Sequence, residues 1–270
     1  MSFAPLESIL VVFQNPKAGR MDAYDDWYTN IHIRDAMRLD GAIATQRFVV
    51  SEDQLTNDGV RVVPGHWAHT IYEWESAAKS VEGHRTRAGT PRMEISKDGS
   101  FENLRDYFYR PTFLSHGWSR EEGFRRGNDI LTALIEPGNS SQDFVAWFQE
   151  VHTPAILACG GFASVGLFAL HEFQSLPIPS EHPFVAIYSL ADRREALNSW
   201  HVMEVSGGAA LLHAVSAAEV TCWQPHIARL KSDEVLHPTQ EAAALEAQAH
   251  HAYSDRFFTA DEMAAFLAGG

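Results

Sequence analysis

Apolar and polar positions along the chain follow two rhythms, and these come round twice in the same order. Residues 9–16, ILVVFQNP, are a β-branched and aromatic run ended by a proline, which reads as a strand. Tyr24, Trp27 and Ile31 then recur at i, i+3 and i+7 and give one apolar stripe on a helix. Gly41 stops that helix, since glycine accepts a left-handed backbone. Residues 41–48 (GAIATQRF) and 66–76 (HWAHTIYEWES) read as two strands joined by a polar loop. A second helix over 76–93 is weak, broken by Gly83, Gly89 and Pro91, and residues 104–111 (LRDYFYRP) close the unit as a fourth strand.

The downstream copy keeps this order. ILTALIEP begins at Ile130, 121 residues after Ile9, and Phe144, Trp147 and Val151 repeat the helical stripe. Trp27 and His32 meet Trp147 and His152 at an offset of 120, as does GAIATQRF with GFASVGLF. TIYEWES matches AIYSLAD at 116, and YRP matches WQP at 114. The offset drifts one way, as it does when only loops change length. Ser140 or Ser141 is placed to cap the second copy's helix, and Gly160-Gly161 to end it. Two βαββαβ units are therefore expected within an α+β fold, each a four-stranded antiparallel sheet with both helices on one face. Each unit leaves an apolar sheet face bare, and the other copy's bare face covers it at least cost, giving a barrel-like interior with four helices outside. The units are residues 1–120 and 121–230; residues 231–270 form a helical extension in which Thr259 and Glu262 spell a capping box.

The patterns W-Y-x-x-I-H-I-x-D from Trp27, G-x-x-x-x-x-R-F from Gly41 and I-Y-E-W-E-S from Ile71 resemble the dimeric α-β barrel superfamily, nearest its EthD-like branch. In that branch the helix often carries Trp-aromatic-x-x-x-His-x-Pro, and two ferredoxin-like protomers make the barrel. The chain resembles a fused pair over residues 8–230, an intramolecular version of that barrel. The second copy keeps Pro154 after its histidine, whereas the first has Arg34. Cyclases of the superfamily use a histidine of the second helix with a tyrosine, which brings in His84; a surface histidine is the alternative there. The superfamily also includes fused-barrel haem enzymes, with a histidine as axial ligand.

His32 and His152 lie four residues after Tyr28 and Phe148, beside the buried stripe. Pro154 is expected to break the second helix just after His152 and turn that ring over the sheet edge. Asp35 either orients His32 or is a solvated acid, and Asn30 and Glu150 face away from the histidines. On the strand at 66–76, alternation puts Trp67, His69, Ile71 and Glu73 on one face and Thr70, Tyr72 and Trp74 on the other. The matched second-copy face reads Pro183, Val185, Ile187, Ser189, and Arg47 is matched by Leu167. Chemistry is thus expected in the first half. His32 or His69 would be the base, Glu73 its orienter or the acid, and Arg47 or Tyr72 the holder of a developing oxyanion. Trp67, Tyr72, Tyr28, His84 and His152 would line the substrate site.

A net charge of -14 with scattered Lys and Arg argues against nucleic acid and against an anionic membrane surface. Cys159 and Cys222 have no CxxC spacing, the N-terminus lacks a basic n-region, and a reduced, cytoplasmic setting is expected. No metal-ligand spacing, nucleotide loop or GxSxG motif occurs, and His250-His251 reads as polar surface. The expected function is a cofactor-independent lyase, isomerase or cyclase acting on a small hydrophobic compound, aromatic or polyketide-like. A haem enzyme and a non-catalytic binding or stress-response protein are the alternatives, and a homo-oligomer is possible.

Overall fold

The computed structural model describes residues 6–57, 60–61, 64–124, 129–253, 255–259, 261–263 and 265. The first half runs β1 (Ser8–Pro16), α1 (Met21–Trp27), a π-helical turn (Tyr28–His32), α2 (Ile33–Met37) and β2 (Ala42–Val50). A two-residue ribbon follows, β3 (Thr56–Asn57) and β4 (Val60–Arg61), then β5 (Ala68–Trp74), α3 (Ala77–Arg87) and β6 (Gly99–Leu114). The second half repeats the order with β7 (Asp129–Pro137), α4 (Ser141–Trp147), a π turn (Phe148–His152), α5 (Thr153–Ala158), β8 (Phe162–Leu170), β9 (Phe184–Leu190), α6 (Arg193–Ser206) and β10 (Val215–Pro225). β11 (Leu230–Lys231), α7 (Ser232–Leu236) and α8 (Gln240–Tyr253) follow.

The expectation of two separate facing sheets needs correction. The pairings draw a single antiparallel sheet of nine strands, β10-β7-β9-β8-β6-β1-β5-β2-β11. The halves join where β6 meets β8, from Tyr109 opposite Leu170 to Leu114 opposite Gly166. They meet again where Trp223–Pro225 of β10 pair with Phe48–Val50 of β2. That second contact is short because β11 takes Ala44 and Thr45 on the same edge of β2.

Three apolar clusters hold this arrangement. One is shared by both halves and gathers Ile9, Val11, Phe13, Ile71, Ile130, Leu134, Val185, Ile187 and Trp223. The other two lie between the sheet and the helices, around Tyr24, Trp27, Tyr72 and Trp74 in the first half and Phe144, Phe148, Tyr188 and Trp200 in the second. Within β5 the alternation holds, with Ile71 towards the shared cluster and Tyr72 and Trp74 towards the helices, but Trp67, expected on the face of His69 and Glu73, precedes the strand and packs on the helix side, where Arg47 lies over its ring.

The glycines expected to end the helices lie instead in the turns into β2 and β8, past C-caps Arg38 and Cys159, and both are left-handed, Gly41 at φ 83° and Gly161 at φ 88°. Their surroundings differ. A Cβ on Gly41 would meet nothing nearer than 3.8 Å, whereas one on Gly161 would lie 2.2 Å from the Ala196 nitrogen. Gly41→Ala should cost about 1–2 kcal/mol of backbone preference. Gly161→Ala should cost roughly 1–3 kcal/mol more by forcing α6 off the sheet. Urea midpoints of the two variants test that order.

Two other expectations are revised. Gly83 does not break α3, which runs through it from Ala77 to Arg87. A Cβ there would come within 3.0 Å of the Leu39 side chain, so this glycine lets α3 approach α2 closely. Nor does Pro154 interrupt the second helix. It occupies the first turn of α5, where its missing N–H costs nothing, and the π turn before it also occurs in the first half, where Arg34 stands in its place.

Among the described residues no helix is long and apolar enough to cross a membrane.

Candidate functional site

His32 and His152 each end a π turn. In a regular α-helix residues five apart sit about 140° apart and cannot touch. The extra residue of the π turn brings them round. The His32 ring stacks on Trp27 with centroids 4.7 Å apart, and His152 on Trp147 at 5.3 Å. Such turns are frequent at functional sites.

The two histidines differ in their partners. His152 is buried, its Nδ1 2.7 Å from the Ala209 carbonyl and its Nε2 2.9 Å from the Tyr188 hydroxyl. Nδ1 therefore donates, Nε2 accepts, and both ring nitrogens are engaged. The Nδ1 of His32 is buried and has no hydrogen-bond partner among the described residues. His32 as a residue is only partly buried. Dense packing around it, with the fields of His84 and Arg47, lowers its pKa to about 3. Because the folded value is depressed, the stabilisation is complete above the unfolded value near 6.5 and is lost as pH falls towards 3. His32 should therefore show no titration by NMR between pH 8 and 4.5, and a midpoint near 6.5 would contradict this packing.

Around His32 the first half gathers polar groups, of which Tyr72 has a second-copy counterpart in Tyr188 while Tyr28, His84 and Arg47 do not. The Tyr72 hydroxyl donates to that of Tyr28 at 3.2 Å, and burial pushes both phenols up. His84 donates from Nδ1 to the Ser80 carbonyl at 2.9 Å, leaving Nε2 as acceptor, and sits edge-on to Trp74. Trp200 stands at the repeat position of His84, packed edge-on to Tyr188 and His152. Arg47 is fully buried, its guanidinium 4.3 Å from the Tyr28 ring centre and 5.6 Å from that of Trp67. It ion-pairs with Asp25 at 3.0 Å, and Asp25 in turn holds His226 Nε2 at 2.8 Å.

This geometry divides the residues expected to act together. Arg47 lies opposite Thr70, on the helix side of the sheet with Tyr28, Tyr72 and His32, while Phe48 opposes His69 on the other side. Arg47 therefore cannot share a site with His69 and Glu73. His69 and Glu73 do face the shared interior, both fully buried, so the solvent-edge alternative fails. They are not an acid–base pair, because four residues on one strand face span roughly 13 Å. His69 stacks on Phe13 at 4.2 Å and lies beside Trp223. Glu73 receives Arg229 through Nε at 3.1 Å and Nη2 at 2.7 Å, and Trp118 Nε1 at 2.8 Å. The closest approach of Arg229 is permitted by Gly123, whose Cβ would come within 3.0 Å of both side chains. Asp35 is neither solvated nor an orienter of His32: it is buried and pairs with Arg38, and burial pushes its carboxyl up to about 7.

Asp25, His226, Trp118 and Arg229 were not singled out by the sequence. Only the acidic start of the repeat helix marked Asp25, and the other three come from loops outside the matched segments. Open space is also differently placed from expectation. Clefts of about 490 and 580 Å³ lie against the second half, the former lined by Cys159, Glu195 and Met203, the latter by Leu55, Trp200, His201 and Glu204, and one of about 550 Å³ lies on the first half at Thr86, Arg87 and Thr90, away from the strands.

A haem does not fit His152, which has no nitrogen left for iron.

No protein-family model matches the chain, and no curated protein matches its sequence. Solved structures do share its fold. An anthrone oxidase-like protein superposes with a TM-score of 0.53 at 12% identity, covering 86% of this chain and 95% of its own. A monooxygenase-like protein from Fusobacterium nucleatum reaches 0.50 at 9% identity, covering 83% and 94%. A chlorite dismutase variant from Candidatus Nitrospira defluvii reaches 0.51 at 9%, covering 92% and 96%. At these identities the likeness shows a shared fold.

Proposed function

We propose that the protein is a cofactor-independent acid–base catalyst of the lyase, isomerase or cyclase class, working on a small, largely apolar aromatic or polyketide-like compound. We read the chain as an internal duplication of a ferredoxin-like unit in which only the first copy keeps a working site. The observation that carries this is the contrast between the two π-turn histidines. One is saturated by Ala209 and Tyr188; the other is neutral, with a buried nitrogen that no described group satisfies. A buried polar atom without a partner costs stability, and such atoms are retained where they act.

In this reading His32 takes a proton from an acidic C–H or phenol. Its low proton affinity suits a site where the negative charge created on the substrate stabilises the new imidazolium. The Tyr72–Tyr28 hydroxyl pair donates to the oxyanion, with Arg47 beneath the Tyr28 ring lowering the cost of negative charge there. The protonated His32 then returns the proton elsewhere on the substrate, and His84, whose Nε2 is an acceptor, is placed to orient a substrate hydroxyl. Glu73 and His69 serve the interior of the sheet rather than the reaction. The anthrone oxidase-like neighbour suggests anthrone as a first probe, because its ring CH₂ is acidic and flanked by aromatic surface.

The test is enzyme-dependent exchange of substrate C–H for deuterium, read by NMR in D₂O over a panel of anthrones, naphthols and β-diketones. It needs no knowledge of the final product. Consumption of O₂ in the same samples would assign an oxygenase instead, and binding without exchange above buffer would leave a ligand-sequestering protein.

A further inference from the structure

The C-terminal helix is fastened to the first half by more than apolar contact. α8 lies beside the π turn and α1, with Ala249, Tyr253 and Phe257 against the helix-side cluster. At its centre Glu246 and His250, one turn apart on α8, come up against Asp35 of α2. One ligand atom from each of the three lies within 4.8 Å of the others. We propose that Asp35, Glu246 and His250 form a binding site for a first-row divalent cation, which clips α8 onto the first half.

Three observations converge on this. Asp35 is 5% exposed, Arg38 takes its Oδ1, and its Oδ2 has no hydrogen-bond partner among the described residues. A buried carboxylate oxygen left in that state calls for a cation. His250 Nδ1 lies 3.1 Å from a Glu94 oxygen, so a proton on Nδ1 is donated to Glu94 and the Nε2 lone pair turns inward, 4.0 Å from Glu246 Oε1. A ligating histidine held from behind by a carboxylate is the usual outer-shell arrangement at metal sites. Finally, Asp35, Glu246 and Glu94 bring three carboxylates together, against which Arg38 sets a single permanent positive charge. A dication balances the remainder.

The donors, two carboxylates and one imidazole, suit zinc or manganese rather than a soft or an all-oxygen site. Zinc bonds of about 2.0–2.2 Å place tetrahedral ligand atoms roughly 3.4 Å apart, so separations that are now within 4.8 Å would shorten by up to about 1.4 Å on binding. Arg38 holds both oxygens of Glu246 and would remain as an outer partner of that ligand. The sequence hid the site because His250 read as polar surface of an alanine-rich helix, and Asp35 lies more than two hundred residues away.

The experiment is a titration of tag-free full-length protein, stripped with chelator, with ZnCl₂ and separately MnCl₂, followed by calorimetry. One equivalent per chain should bind to at least one of the two, with a Kd at or below about 10 μM. Asp35→Asn and His250→Gln should weaken it by at least about 100-fold, and Glu94→Gln by roughly 10–100-fold. His237→Gln, on the exposed face, should leave it unchanged. Saturable binding absent from the wild type, or equal binding by Asp35→Asn, would overturn the proposal and leave only adventitious capture by surface histidines. A readout independent of any variant is limited proteolysis of the wild type: the bound cation should slow cleavage within residues 240–265, and an unchanged rate would count against the clip.

Discussion

His32→Ala should lower the rate of enzyme-dependent C–H exchange by on the order of 10²-fold, the usual loss when a positioned acid–base group is removed. No hydrogen bond is broken and a buried polar atom without a partner is removed, so the stability loss should be confined to the ring's packing on Trp27 and Tyr28, about 1–2 kcal/mol. His152→Ala should do the reverse. It strips the Tyr188 hydroxyl and the Ala209 carbonyl of their partner and should destabilise by about 2–4 kcal/mol, with exchange by the folded fraction near the wild-type rate. Paired exchange assays and urea titrations separate the two. If His152→Ala abolishes exchange in folded protein while His32→Ala does not, the assignment of the site to the first half is wrong.

Arg229→Ala should be among the most destabilising single changes in the chain, by about 3–5 kcal/mol, because it leaves the fully buried Glu73 carboxylate without its charge partner. Glu73→Gln should cost less, as the amide keeps an oxygen for Trp118, although it strands the guanidinium. The double change Arg229→Met with Glu73→Gln should recover part of the loss, as removal of both charges of a buried pair commonly does. Urea unfolding of the three variants decides. A Glu73→Gln protein as stable as wild type but devoid of exchange would restore Glu73 to the reaction and remove it from the fold.

Much of the architecture could be read from residues alone. The repeated strand–helix–strand order follows from local periodicity, which depends on neighbours in sequence; Gly41 and Gly161 mark the turns into β2 and β8, whereas the helices themselves end earlier, at Met37 and Ala158. The alternation along β5 correctly put His69 and Glu73 on one face and Tyr72 on the other, because a pleated strand allows nothing else. The capping box at Thr259 forms as its spacing requires, with Glu262 Nα 3.2 Å from the Thr259 hydroxyl and Thr259 Nα 2.8 Å from the Glu262 carboxylate. Mismatch between the copies also pointed to the half in which unusual polar groups are buried.

The grouping of those polar groups was beyond reach of the pattern. Arg47 was joined to His69 and Glu73 on the ground that all three break the match with the second copy, but mismatch does not report which side of a sheet a residue faces. The bulge between Ala42 and Ala44 shifts the register of β2 against β5 and sets Arg47 opposite Thr70. A one-residue change of register exchanges the two faces of a strand, and no periodicity count reveals it.

What the sequence by itself determined, then, is the set of elements, their order, and the two π-turn histidines as equivalent positions. Tertiary structure alone decided that these positions are chemically unequal. The inequality rests on partners from distant segments: Ala209 and Tyr188 reach His152, whereas His84, Arg47 and the Tyr28–Tyr72 pair surround His32. It likewise decided that Asp35 meets Glu246 and His250. Hydrogen bonds, ion pairs and ligand sites act over about 3 to 5 Å in space, whatever the number of residues between the groups, and that distance is set only when the chain has folded.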